Sequence, residues 1–106
     1  MLIDFESSGG YANLHLTYHA NTDTLPPDVA AEITRLVESS GVFDIQQEAV
    51  APSPAGPPDV MTYRLSLRDG SRVTTLTLND VTAPTALHPL LALLRKLAVD
   101  EKMKGR

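Results

Sequence analysis

Three histidines, a scatter of carboxylates and two glycine-bearing turns are the residues of this chain whose types could do chemistry. His15 and His19 form H-x-x-x-H, which on a helix would present two metal ligands on one face. They lie, however, in a run that alternates apolar and polar residues, and so belong to a strand. Four strand steps of roughly 3.3 Å separate their Cα atoms by about 13 Å. That is too far for two ligands of one ion whose metal–nitrogen bonds are about 2 Å. Both histidines are therefore assigned to a solvent-facing strand surface. His88 precedes a proline at a helix start, and no local spacing sets an acid or a nucleophile beside it. The carboxylates Asp4, Glu6, Asp23, Asp28, Glu32, Glu38 and Asp44 are dispersed over polar faces and form no pair. Ser7-Ser8-Gly9-Gly10 lacks the G-x-S-x-G pattern of a nucleophile elbow, and no glycine-rich phosphate loop precedes a helix. The residue pattern points away from an enzyme. It leaves three loops as the distinctive features: Ser7 to Tyr11, Arg68 to Arg72, and Gln46 to Asp59.

The elements that must hold those loops are legible in the alternation. Val60 to Arg68 and Arg72 to Leu78 form two strands joined at Asp69-Gly70, a dipeptide suited to a type I′ hairpin turn. A two-residue loop there pairs Met61 with Leu78, Tyr63 with Leu76 and Leu65 with Thr74, so the apolar sides coincide. Leu2 to Ser7 and Tyr11 to Ala20 alternate in the same way. If Gly9-Gly10 form the turn, Phe5 pairs with Leu14 and Ile3 with Leu16. Pro26-Pro27 opens a helix, Asp28 complements its positive end, and Gly41 closes it. Val29, Ile33, Leu36 and Val37 share one face of that helix. Val42, Phe43 and Ile45 then return the chain to the core. Gln46 to Asp59 carries Pro52, Pro54, Pro57 and Pro58 and lacks apolar anchors; it reads as a flexible surface loop that forms neither a helix nor a central strand, either functional or loose. Leu87, Leu90, Leu91, Leu94 and Leu97 form the stripe of a second helix. It begins either near His88 or after a tight turn from Pro84.

The order β-β-α-β-β-α, with one apolar face on every element, predicts an α+β fold: one four-stranded antiparallel sheet with two helices packed on one face. Residues 1–99 form the single domain and 100–106 a charged tail. Net charge is −4 in 106 residues, which disfavours nucleic acid and acidic membrane surfaces. The chain has no cysteine, which excludes disulfides and thiolate metal sites. With no apolar run of signal or membrane-spanning length, it is expected to be a soluble, cytoplasmic monomer.

The run Ile3-Asp4-Phe5-Glu6-Ser7-Ser8-Gly9-Gly10-Tyr11 resembles the opening of emfourin-like proteins, small bacterial inhibitors of thermolysin-family metalloproteases such as protealysin. The resemblance continues through Thr24-Leu25-Pro26-Pro27-Asp28, Leu36-Val37-Glu38 and Val42-Phe43-Asp44-Ile45. It resumes at Met61-Thr62-Tyr63-Arg64-Leu65 with Asp69-Gly70 and ends on Pro84 with Leu87-His88-Pro89-Leu90-Leu91. Val42 stands where a second aromatic is expected, and the Pro/Ala-rich stretch from Ala49 to Pro58 is longer than usual. The resemblance implies a protein inhibitor with no cofactor and a thermolysin-like zinc protease as partner. The expected contact residues are Ser7, Ser8, Gly9, Gly10 and Tyr11, with glycines allowing close backbone approach and Tyr11 as aromatic anchor. Gly9-Gly10 also has the simpler explanation of a turn its two strands require. The competing function is a non-inhibitory binding module that uses the open sheet face.

Overall fold

The alternating runs become strands β1 (Leu2–Gly9), β2 (Leu14–Asn21), β3 (Met61–Asp69) and β4 (Arg72–Asn79) in a computed structural model that describes residues 1–9, 14–52 and 60–104. They form one antiparallel sheet in the order β2-β1-β3-β4, so each hairpin contributes one central and one edge strand. One face carries Ile3, Phe5, Leu16, Tyr18, Tyr63, Leu65, Leu67, Leu76 and Leu78, all buried. Against it pack Ile33, Leu36 and Val37 of α1 (Pro27–Ser40), with Leu90, Leu91, Leu94 and Ala98 of the C-terminal helix. The other face is open. The α+β fold with helices on one face is as the pattern predicts.

Helix α1 follows its local signals: Pro27 occupies the first turn, where no N–H is needed, and Gly41 ends it at φ +65°. Both hairpin registers differ from expectation. In the second, Tyr63 pairs with Leu78, Leu65 with Leu76 and Leu67 with Thr74. The turn is Gly70-Ser71, with Gly70 at φ +63°, while Asp69 stays in the ladder opposite Arg72. There its carboxylate accepts from the Arg72 guanidinium at 2.8 Å, which also donates to Glu38 of α1 at 2.9 Å and covers the Phe43 ring at 4.5 Å. In the first, Phe5 pairs with Tyr18 and Ile3 with Ala20. Both slides are by an even number of residues, so the described strand residues keep their expected faces.

The first slide has a non-local cause. β1 is central, paired to β2 and β3 along its whole length as far as Gly9, opposite Leu14 and Met61. Two ladders hold Ser7, Ser8 and Gly9 in the sheet although their local chemistry favours a turn.

The segment after Ile45 departs further. A single helical turn, α2 (Gln47–Val50), forms before Pro52, and Val50 is fully buried, supplying an anchor where none was expected. The Gln47 side-chain amide donates to the Thr77 carbonyl and accepts from the Thr77 N–H, both at 2.8 Å. It thereby occupies both outward backbone groups of Thr77 on edge strand β4. Residues 53–59 of the expected flexible loop lie outside the described residues.

At the C-terminal helix the two alternatives combine. Pro84 leads a 3₁₀ turn, Thr85–Leu87, that runs into α3 (His88–Lys104). The helix continues through most of the expected tail, with its Ala98 buried. Among the described residues, no helix is long and apolar enough to cross a membrane.

Candidate functional site

The registers place Gly9, Leu14, Met61 and Asn79 at the same end of the sheet. Three connections therefore meet at this end: β1 to β2, the approach to β3 from Val60, and β4 to the C-terminal helix. The opposite end carries the Gly70-Ser71 turn.

At the loop end the expected contact residues separate by environment. Ser7 lies inside β1 on the core face at 0% exposure, with Leu16 and Tyr63 as cross-strand neighbours. Its hydroxyl oxygen has no hydrogen-bond partner among the described residues. Ser7 is thus a packing position. Ser8 is exposed on the open face between His15 and Thr62. Gly9 adopts φ +103°, a torsion that favours glycine, and a Cβ there would meet the Val60 carbonyl oxygen at a tight 3.1 Å. Gly10 and Tyr11 lie outside the described residues.

The β4–α3 connection is the part of this end that sequence reasoning missed. Asn79 is nearly buried, and its side-chain oxygen accepts from the N–H groups of Val81 and Thr82, both at 2.8 Å. The Thr82 hydroxyl accepts from Asn79 N–H at 3.0 Å, and Ala83 N–H donates to the Asn79 carbonyl at 2.9 Å. The available signal was Asn79 followed three residues later by Thr82, a spacing at which both side chains can bond the backbone of a turn.

Beside it, Tyr63 donates its hydroxyl proton to the Asp80 carboxylate at 2.5 Å, and a His88 ring nitrogen lies 3.0 Å from the Ala83 carbonyl oxygen. Tyr63, Asp80, His88 and Arg95 line a dent of about 180 Å³. Burial, then the Asp80 carboxylate, push the Tyr63 phenol up to about 12, with Arg95 pulling the other way. Because the native state holds this proton more tightly than the unfolded chain, the contribution is complete below about pH 10. It is lost as pH rises through about 12. Tyr18, raised by burial and by Glu101, acts in the same direction. Urea midpoints measured from pH 8 to 12 should fall on this alkaline limb, and Tyr63→Phe should flatten it while leaving the Tyr18 part.

On the open face the two H-x-x-x-H histidines do not converge. His15 stands opposite Ser8, whereas His19 stands opposite Asp4, whose carboxylate lies 2.6 Å from its Nδ1. Asp4, Glu6, His19, Arg64, Ser66 and Thr75 surround a shallow hollow of about 360 Å³. Among the described residues, no three histidines, cysteines or carboxylates gather as a metal site.

The structure is thus a small α+β domain whose sheet gathers three connections at one end. The Emfourin family model matches residues 5–95, and the chain belongs to that family. The family is one of metalloprotease inhibitors. No curated protein and no solved structure matches the chain.

Proposed function

We propose that this protein inhibits a thermolysin-like zinc metalloprotease by stoichiometric binding, with its loop end occluding the catalytic cleft. The observation that carries the reading is the convergence of the three connections at one end of a sheet backed by helices. Such a frame fixes the strand ends from which the connections leave, a common way to build a binding surface. Family membership supports the kind of partner. Ser8, Gly9, Gly10 and Tyr11 are the proposed contacts, with buried Ser7 supporting them from inside the strand. The protein acts as a monomer without a cofactor, by backbone and apolar contact rather than by capture of the zinc.

The competing reading, a non-inhibitory module that binds through the open face, has the hollow around Asp4 and Arg64 in its favour. Titration against a panel of thermolysin-family proteases separates the two. Loss of peptidase activity with an equimolar end point is expected for at least one enzyme. Tyr11→Ala should weaken that inhibition by roughly tenfold or more, as for an aromatic anchor. Arg64→Glu, on the open face, should leave it unchanged. Full activity of every protease at molar excess would reject inhibition, and the reverse pattern in the variants would move the contact to the open face.

A further inference from the structure

Val81 is 70% exposed, above Met103 at 68%, Val73 at 57%, Leu2 at 47% and Val99 at 40%. A lone apolar side chain on a surface is ordinary. Two further observations set Val81 apart. It sits at the centre of the Asn79–Ala83 turn, whose backbone is held by Asn79 and Thr82 on one side and by the Asp80–Tyr63 and Asp80 N–H to Met61 carbonyl bonds on the other. It also lies just beyond Asn79, at the same end of the sheet as Gly9 and Met61. A rigid turn therefore holds an apolar group out into solvent beside the connections that carry the inhibitory reading. Valine, branched at Cβ and rotating about one side-chain bond, loses little freedom when it is enclosed.

We propose that Val81 is an apolar anchor of the inhibitory surface, seated in an apolar subsite of the target protease's cleft. This deepens the inhibitor reading and rests on it. The anchor makes the β4–α3 turn a second contact element next to the β1–β2 hairpin. It also makes residue 81 a determinant of which proteases are bound, because a pocket that accepts valine rejects a charged group strongly.

The test compares wild type with Val81→Ala, Val81→Asp and Val73→Asp against a thermolysin-family protease that the wild type inhibits. Val73 is similarly exposed but lies opposite Arg68, near the far end of the sheet. All three substitutions are at exposed positions and should leave the urea midpoint close to wild type. Val81→Ala is expected to raise the inhibition constant about tenfold and Val81→Asp about a hundredfold, with Val73→Asp unchanged. Should Val81→Asp misfold, Val81→Ala alone decides. Unchanged inhibition by the folded Val81 variants overturns the anchor while leaving the inhibitor reading intact. An equal loss in Val73→Asp also overturns it, since the effect would then be one of net charge. A wild type that inhibits none of the panel removes both readings.

Discussion

Replacing Phe5 with alanine is expected to lower the unfolding free energy by about 3–5 kcal/mol, a large share of the roughly 5–15 kcal/mol that holds such a domain together. Phe5 is fully buried in central strand β1, between Tyr18 and Leu65 on its two neighbours, and its ring stacks on that of Tyr63 at 6.0 Å between centroids. Ladders on both sides prevent the backbone from closing over the vacated space, so most of the cavity should persist. The measurement is a urea titration in which the midpoint falls and the slope stays constant. A second consequence reaches the loop end. Tyr63 loses the ring it packs against, and Tyr63 is the donor that holds Asp80 beside Val81. Amide exchange at Val81 and Thr82 should therefore accelerate more than exchange at Gly70 and Ser71, at the far end. A uniform acceleration would mean that the Phe5–Tyr63 stack stabilises the domain without specially supporting this turn.

How far the fold could be read from sequence follows from the range over which each feature is decided. The buried face of every strand is a local property of alternation, and Ile3, Phe5, Tyr63, Leu65 and Leu76 all occupy it. Helix α1 is equally local, bounded by Pro26-Pro27 and Gly41. Register is not. Ser7-Ser8-Gly9 has turn chemistry, and pairing with β2 on one side and β3 on the other makes it strand. The same holds for α2, since Gln47 finds its partner Thr77 thirty residues away. The charged stretch after Val99 looked like a tail because charge marks solvent contact, yet one face of a helix can satisfy that while Ala98 on another is buried. At the candidate site, the hairpin leading to Gly10 and Tyr11 stood out through its glycines. The Asn79–Ala83 turn was partly legible in its Asn and Thr. Val81 was not, because a single apolar residue in a polar turn has no period to reveal it.

The turn itself supplies the second large effect. Asn79→Ala removes the acceptor of two backbone N–H groups, those of Val81 and Thr82, from a nearly buried position. The expected cost is about 1–3 kcal/mol of stability, read from the shift in urea midpoint. Asn79→Asp keeps an oxygen in the same place and should recover most of that loss, which separates hydrogen bonding from side-chain volume. If the loop end acts as proposed, inhibition should suffer beyond what the stability change explains. A turn that must be ordered on binding spends affinity on its own immobilisation. Measured well below the unfolding temperature, where Asn79→Ala remains folded, the inhibition constant should rise about tenfold or more and return towards wild type in Asn79→Asp. Full-strength inhibition by folded Asn79→Ala would show that the partner does not need this turn pre-ordered. The side chain of Asn79 would then matter to the sheet end alone, and the contact surface would contract to the β1–β2 hairpin.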